Sequence, residues 1–218
     1  MTRSTADGPS MPAVTEPGRR RGRPRSAEID HRILEAAWAV YAERGWAGFN
    51  FDVVATQASV SKDAIYRRYR TRIELLLAAM SSGRRRSEVS IDQDIRRYLF
   101  GLAKEHFDRY VAEHGFGVLR IFVEASESPE LLDAYHHERS APDVLAARAR
   151  VRAAIESDEL PTVSSPTVVL DAVLGGVVMH VMATPPELRS QMIAGAEQFL
   201  SELVDLVLQG AGYQRTHK

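Results

Sequence analysis

The 218-residue sequence predicts an all-α protein of about nine helices in two modules. Apolar residues recur every three or four positions along most of the chain, and no alternating pattern of useful length indicates a β-strand. The charge is divided: residues 17–86 carry 15 Lys and Arg against 7 Asp and Glu, whereas residues 87–218 carry 12 against 20. We therefore expect a basic N-terminal module that meets a polyanion and an acidic C-terminal module that does not.

Composition excludes several classes of protein. The absence of cysteine removes disulfides, thiol catalysis and cysteine-ligated zinc. Residues 1–18 lack the hydrophobic run of a signal sequence, so we expect a protein that stays in the cytoplasm. The apolar stretch Val168–Ala183 is interrupted by Asp171 and His180 and is short for a bilayer. It predicts a buried helix and no membrane partner.

Residues 1–25 show no hydrophobic periodicity and are expected to be a mobile arm. Five arginines lie between Gly18 and Arg25. Next to a DNA-binding unit, such a segment follows the phosphate backbone or enters the minor groove, with Arg23 and Arg25 nearest to that unit. The alternative is a solvated basic tail.

The first helix is expected to begin at Ser26, whose side chain is placed to cap it. Glu28 and Asp30 in the first turn oppose the helix dipole, and Gly45 is expected to end the helix. Its apolar face is expected to comprise Ile33, Ala37, Val40 and Tyr41.

Residues 50–72 predict two short helices joined by a tight turn, which is the outline of a helix-turn-helix. Asn50 is placed to cap the second helix of the chain and Ser61 to cap the third. Ile65 and Tyr69, four positions apart, give the third helix its buried side.

The outward face of this third helix carries Lys62, Tyr66 and Arg67, with Arg68 and Arg70 beside them. Cationic and hydrogen-bonding groups on one face suit a phosphate-lined groove. The alternative is an ordinary solvated surface helix.

A fourth helix is expected to begin near Thr71, because Thr71 and Glu74 form a capping-box pattern before an apolar run. Together with the N–H groups of this helix end, Arg72 is a candidate phosphate contact.

Residues 26–80 resemble the DNA-binding domain of TetR-family transcriptional regulators. The matching segments are Ile33–Ala37, Glu43–Trp46, Val54–Ala55, Val60–Lys62, Ile65–Tyr66 and Leu75–Leu76 after the Thr71–Glu74 box. The sequence departs from the usual pattern at Phe49, Ser59 and Asp63, and Arg67–Arg68 replaces an aromatic or histidine pair. The resemblance implies that residues 62–64 and 66–68 contact DNA and that Arg72 contacts the DNA backbone. The full set of candidate DNA-binding residues is Arg23, Arg25, Asn50, Ser61, Lys62, Asp63, Ala64, Tyr66, Arg67, Arg68 and Arg72.

The C-terminal module is expected to be helical to its end. The helical pattern holds from Ile91 onward, and a fifth helix that Gly115 ends carries Ile95, Leu99, Leu102, His106 and Tyr110. A sixth is centred on Ile121. A seventh spans residues 130–156 with a kink at Ala141–Pro142, and a loop follows. The last two helices, about 166–183 and 186–209, each carry two apolar stripes, one for the core and one for a second subunit.

Proteins of the TetR family dimerise through their last two helices, so the resemblance implies a homodimer that binds an inverted repeat. Gly175–Gly176 predicts close approach of another backbone or, alternatively, a local bend. The candidate interface residues are Val169, Val173, Gly176, His180, Phe199, Leu203 and Leu206.

The same family has an inducer pocket between the fourth and seventh helices. Side chains that combine aromatic area with polar tips suit such a pocket. The candidates are His106, Phe107, Tyr110, Phe116, Phe122, Tyr135 and His136. Each of them has the alternative of an ordinary core or surface residue.

No cofactor, metal or enzymatic activity is expected. His136 and His137 point about a hundred degrees apart on a helix, and no second ligand pair accompanies them. No phosphate loop, nucleophile elbow or paired catalytic carboxylates stand out.

The sequence thus predicts an arm (1–25), a DNA-binding domain (26–72) and a ligand-binding and dimerisation domain (73–218). The function expected is that of a bacterial repressor of transcription, released from an inverted-repeat operator in double-stranded DNA by a small-molecule inducer. One alternative is a regulator whose C-terminal domain only dimerises. Another is a helical small-molecule carrier or enzyme.

Overall fold

In a computed structural model, the chain is described over residues 25–82, 90–124, 126–137, 141–162 and 164–211. These residues form eleven α-helices and no β-strand, which confirms the all-α prediction. The helices are α1 (Arg25–Gly48), α2 (Phe51–Ala58), α3 (Lys62–Tyr66), α4 (Arg72–Ser82), α5 (Ile95–Val111), α6 (Gly117–Glu124), α7 (Pro129–Tyr135), α8 (Ala141–Glu156), α9 (Pro166–Ala183), α10 (Arg189–Ala194) and α11 (Ala196–Ala211). The predicted arm, including Arg23, lies outside the described residues, as does the side chain of Arg25.

Helix α1 differs from its prediction at both ends. Ser26 lies inside the helix, which already includes Arg25, so Ser26 does not stand before it as a cap. Gly45 breaks the helix without ending it: its φ of 68° and ψ of −174° are non-helical, and Trp46–Gly48 continue beyond the break. Only glycine adopts this backbone conformation readily.

The later helices divide more often than the sequence indicated. Helix α5 ends at Val111, before the predicted Gly115. Gly115 instead packs against the last turn of α5, where a Cβ would overlap the carbonyl groups of Arg109 and Tyr110. The predicted seventh helix is two helices, α7 and α8, because Pro142 belongs to the first turn of α8, where a missing N–H costs nothing. The predicted last helix is a 3-10 turn followed by α10 and α11.

Two hydrophobic cores organise the described residues. The first core is formed by α1, α2, α3 and α4, and it also includes Ile121 from α6 and Leu131 from α7. The second joins α5 to α8, α9, α10 and α11. Helix α4 buries Leu75 and Leu76 in the first core, so it packs with the helix-turn-helix unit. The domain boundary at residue 72 stays a prediction.

Helix α9 is the most apolar helix described. By length and composition alone it is capable of crossing a membrane, with a mean hydropathy of 1.7. Here it packs against α5, α8 and α11. Only five of its 18 residues are buried, namely Val169, Leu170, Val173, Val177 and Val181. Much of an apolar helix is therefore open on the surface of the single chain.

Candidate nucleic-acid interface

The helix-turn-helix is built by two side-chain caps and a left-handed turn. Asn50 Oδ1 accepts the N–H of Val53 at 2.9 Å, and Ser61 Oγ accepts the N–H of Ala64 at 3.3 Å. Both predicted caps are confirmed. Ser59 takes the αL conformation with φ 53° and ψ 47°, which ends α2 without glycine. Asn50 and Ser61 thus fix where α2 and α3 begin, whereas their contacts with DNA stay predictions.

The buried side of α3 is formed by Ala64 and Ile65, at 7% and 0% exposure. Ile65 was predicted there, whereas Ala64 was assigned to the DNA face. Its methyl group packs inward, so it is not presented to a partner. Tyr69 is partly buried against the same core.

The outward side of α3 presents Lys62, Asp63, Tyr66 and Arg67, all exposed. Tyr66, 52% exposed, meets Phe51 of α2 edge to face, with ring centroids 4.9 Å apart. This contact holds a large hydrogen-bonding side chain in a fixed outward position. These residues stand together as predicted, and their contacts with DNA stay predictions.

Arg68 is bound within the module. Its Nε donates to Asp30 of α1 and its Nη1 donates to the Ala64 carbonyl at 2.9 Å. Its side chain is only 22% exposed. The local sequence indicates a helix-dipole role for Asp30 and a DNA contact for Arg68. Their pairing, which joins α3 to α1 across 38 residues, leaves no local signal in the sequence.

Arg72 is also engaged by the protein. Its Nη1 donates to the carbonyls of Phe49 at 2.8 Å and Trp46 at 3.2 Å, and its guanidinium lies 4.2 Å from the centre of the Trp46 ring. The start of α4 thereby holds the segment between α1 and α2. Thr71 Oγ1 accepts the Glu74 N–H at 3.1 Å as predicted. The Glu74 carboxylate, however, reaches back to the N–H of Arg70 at 2.8 Å and not to that of Thr71.

A second link, which the sequence analysis missed, joins α6 to the end of α1. Glu124 Oε2 accepts the Tyr41 hydroxyl and the Trp46 N–H, both at 3.1 Å. Burial and then the Glu124 carboxylate hold the pKa of Tyr41 far above its usual value. Arg120 donates to Glu124 at 2.9 Å and to the Ala42 carbonyl at 2.9 Å. We call Tyr41, Arg120 and Glu124 the α1–α6 clasp. Its one sequence signal is the Arg120–Glu124 pair at helical spacing.

The candidate inducer residues on α5 lie in or beside the second core. Phe107 and Tyr110 are buried at 1% and 6% exposure. His106 Nδ1 lies 2.9 Å from the Leu102 carbonyl, to which the protonated nitrogen donates. Burial lowers the pKa of His106, which favours the neutral imidazole. These side chains were expected to surround a pocket, and two of them are packing residues.

The other candidates come from α6, α7 and the residues beside them, and burial and then the nearby Tyr135 raise the pKa of Tyr110 on α5. Phe122 of α6 meets Tyr135 of α7 edge to face at 5.6 Å between centroids, and Tyr135 lies 5.8 Å from His136. Phe116 lies under the Arg189 guanidinium at 5.3 Å. Three of the aromatic candidates therefore contact one another directly.

Most of the candidate dimer residues face their own chain. Val169 and Val173 are buried in the second core at 3% and 0% exposure, so their side chains lie on no outer face. Gly176 makes room for Leu203 of α11, because a Cβ there would lie 2.8 Å from Leu203 Cδ1. The close approach predicted at this glycine is that of a side chain from the same chain.

His180 stacks on Phe199 with 3.6 Å between centroids, which again joins α9 to α11. Burial lowers the pKa of His180. Leu206, at 68% exposure, is the candidate that is most open. It follows Phe199 and Leu203 at helical spacing, on the side of α11 that borders α9. Five exposed apolar residues of α9 recur at steps of three and four positions: Val168, Ala172, Gly175, Met179 and Met182. We call these five residues and Leu206 the outer stripe.

Within the residues that the structure describes, no group of three His, Asp or Glu side chains is placed to hold a metal ion. His137 instead uses Nδ1 toward the Asp133 carbonyl at 2.8 Å.

Comparisons with known proteins agree with this geometry. Residues 33–79 match the family model described as bacterial regulatory proteins of the tetR family. An uncharacterised HTH-type transcriptional regulator of Mycobacterium tuberculosis is 32% identical over 116 residues, 53% of this chain and 55% of the relative. The chain thus spans about half the length of this curated relative.

Solved structures extend the likeness of fold to most of the chain. MexZ of Pseudomonas aeruginosa, described as a key repressor responsible for antibiotic resistance, has a TM-score of 0.63 at 19% identity, over 83% of this chain and 94% of MexZ. FadR of Bacillus subtilis, solved in complex with stearoyl-CoA, has a TM-score of 0.54 at 17% identity, over 84% of this chain and 97% of FadR.

Proposed function

Because residues 33–79 match the family model of tetR-family bacterial regulatory proteins, we propose that the chain is a dimeric repressor of that family that binds an inverted-repeat operator and is released by a small-molecule inducer. The family consists of DNA-binding regulators and not of enzymes. The observation that carries the proposal is the capped helix α3, which presents Lys62, Tyr66 and Arg67 outward together.

In this proposal α3 enters the major groove of double-stranded DNA and its N-terminal residues meet the base edges. Lys62, Tyr66 and Arg67 read the site, with Asp63 beside them. Arg68 and Arg72 support the readers through their contacts with α1 and with the segment before α2. The arginines of residues 1–25, including Arg23 and Arg25, add contacts with the phosphate backbone or the minor groove.

The proposed dimer forms through the outer stripe, whose exposed residues lie along one side of α9 at helical spacing. A contiguous exposed apolar surface of this kind marks an interaction site. Two-fold symmetry then places two α3 helices in successive major grooves, which requires an inverted repeat. Gly175, with no atom near its absent Cβ, lets a second backbone approach closely.

Responsiveness to an inducer is supported by the likeness to FadR, which was solved with stearoyl-CoA bound. A regulator without a ligand is the second candidate, because Phe107 and Tyr110 are packed in the core. An open groove of about 470 Å³ lies elsewhere, along α1, α2 and the α5–α6 connection. A thermal-shift screen separates the two: a stabilising compound supports the inducer, and none across a broad library supports the second candidate.

A repressor of transcription works where the chromosome is, so we propose a cytoplasmic protein without a membrane partner. The role of α9 in this proposal is dimerisation, which covers the apolar surface that a single chain exposes.

The proposal is tested by selecting bound sequences from a random duplex library with the full-length protein at about 150 mM salt. The expected result is a motif with two-fold symmetry and half-sites about one helical turn apart. Recovery of unrelated sequences, with no enrichment over the starting library, would contradict it.

A further inference from the structure

We propose that Asp52 sets the DNA specificity of this protein by competing with DNA phosphates for the ammonium group of Lys62. The inference rests on the proposed function, DNA binding through α3. It concerns a residue of α2 that lies outside the candidate DNA-binding set.

The two residues form an ion pair across the turn. Lys62 Nζ lies 2.6 Å from Asp52 Oδ1 and 2.8 Å from Oδ2, so one ammonium meets both carboxylate oxygens. The hydrogen bond that Lys62 donates to Asp52 holds the pKa of Lys62 above its usual value, which keeps the ammonium charged. Asp52 lies in the first turn of α2, where the helix dipole favours a carboxylate.

Neighbouring contacts keep this pair on the outward face. Phe51, the residue before Asp52, packs against Tyr66, and the Lys62 ammonium lies 5.7 Å from the centre of the Tyr66 ring. The side chains of Lys62 and Asp52 are 45% and 66% exposed. An exposed pair of this kind is weak and is readily exchanged for another anion.

A phosphate that approaches Lys62 therefore approaches the Asp52 carboxylate as well. Like charges repel, so a duplex that places a phosphate at Lys62 bears a cost there. Random-sequence binding depends almost wholly on phosphate contacts, so it bears this cost in full. At the operator Lys62 contacts a base edge in place of a phosphate, so the repulsion is smaller there. Asp52 consequently weakens non-specific binding more than operator binding.

The test compares wild type and Asp52→Asn as full-length proteins on two probes, a random-sequence duplex and the operator duplex selected by wild type. Salt is varied between about 50 and 200 mM. We expect Asp52→Asn to bind the random duplex about three- to tenfold more tightly, and its salt slope to steepen by up to ~0.9, the value for one further phosphate contact. Operator affinity rises less, so the ratio of the two affinities falls.

Two further variants make the result specific. Asp205→Asn removes the same charge from an exposed ion pair with Arg96, 2.6 Å long, in the C-terminal module, and leaves both affinities unchanged. In a Lys62→Met background, Asp52→Asn is expected to have little effect, because the ammonium it competes for is absent. Circular dichroism confirms that each variant is folded.

Three results overturn the inference while leaving DNA recognition intact. They are an unchanged or weaker affinity of Asp52→Asn for the random duplex, an equal gain on both probes, and a gain that persists in Lys62→Met. Failure of wild type to prefer any duplex over random sequence would instead contradict the proposed function itself.

Discussion

Arg67, Arg68 and Arg72 carry the same charge in different surroundings. Arg67 is exposed at the C-terminal end of α3. Arg68 is bound to Asp30 and to the Ala64 carbonyl, and Arg72 is bound to two carbonyls and to the Trp46 ring. The local sequence does not distinguish them, because their partners come from α1 and from the segment after it. Only the fold separates the side chain offered to a partner from those that hold α3 and α4 in place.

Replacing Arg67 with alanine is therefore expected to change base preference and not merely to weaken binding. The loss at the preferred base is about 1–3 kcal/mol, the range for a bidentate arginine contact. The change in base preference is measured by competition binding with operator duplexes that are altered one base pair at a time. Lys104→Ala, which removes an exposed cation from α5, is the control and leaves the profile unchanged. A uniform loss across all duplexes would show that Arg67 contacts only phosphate.

A second prediction concerns Glu159, which holds the start of α5. Its Oε2 accepts the Ile95 N–H at 2.8 Å, and its Oε1 accepts Nη2 of the buried Arg150 at 3.0 Å. Burial raises the pKa of Glu159, but these hydrogen bonds outweigh it and bring the pKa below its usual value. Glu159→Gln is expected to lower the free energy of unfolding at neutral pH by about 1–3 kcal/mol.

The effect has a defined pH dependence. A depressed carboxyl pKa stabilises the folded state above the unfolded pKa of about 4.3, and that contribution is lost as the pH falls through the folded value. Urea unfolding at pH 7 and near pH 4 is therefore expected to show a smaller difference between wild type and Glu159→Gln at the lower pH. Glu187→Gln, at an exposed site, serves as the control. A difference that does not change with pH would contradict the role of the charge.

At the scale of helices, features that depend on neighbouring residues, such as helix starts, can be predicted from the sequence. Asn50 and Ser61 mark the starts of α2 and α3, because capping depends on residues only three positions apart. The orientation of α9 was not predictable in this way. The helix is apolar on most sides. Four of its exposed apolar residues each lie one position before a residue predicted to form the dimer interface, which corresponds to a rotation of about a hundred degrees around the axis of α9. Which side faces inward is decided by α5, α8 and α11, not by α9 itself.

The outer stripe gives a prediction at this scale. Leu206→Lys places a charge on the most exposed large side chain of the stripe, twice in a symmetric dimer, and is expected to weaken association by about 2 kcal/mol or more. Sedimentation equilibrium measures the monomer–dimer constant. Val123→Lys, at a 77% exposed residue of α6, is the matched control and leaves the dimer intact. Equal association of both variants would place the interface elsewhere.

The α1–α6 clasp depends on the break in α1 at Gly45. Alanine there is strained at a φ of 68°, and its Cβ would overlap the Glu124 carboxylate that binds Tyr41 and the Trp46 N–H. Gly45→Ala is expected to lower the free energy of unfolding by about 2–4 kcal/mol.

The control is Gly210→Ala, which has open space around its Cβ and is expected to be neutral or to stabilise the protein by up to about 1 kcal/mol. Denaturant unfolding compares them, and a fully stable Gly45→Ala would show that the clasp is dispensable.

On the scale of the whole molecule, two cores are joined through α6, and α7 adds to the first of them. Ile121 and Leu131 lie in the core of the helix-turn-helix unit, while Leu119 of α6 packs against the core of the C-terminal module. Glu124 adds a polar link to the end of α1, and Arg72 carries that link on to the start of α4. We propose that these contacts would transmit a change in the position of α6 to the unit that aims α3. In a ligand-responsive regulator, coupling requires such an element to favour different positions in the two states.

In the proposed dimer, two copies of α3 read one inverted repeat together. Titration of the wild-type protein at about 150 mM salt with the selected repeat, with a single half-site and with a random duplex tests it most directly. We expect one dimer to bind the intact repeat, with affinity for the half-site lower by at least about tenfold and that for the random duplex lower still. Equal affinity for all three duplexes would contradict the claim.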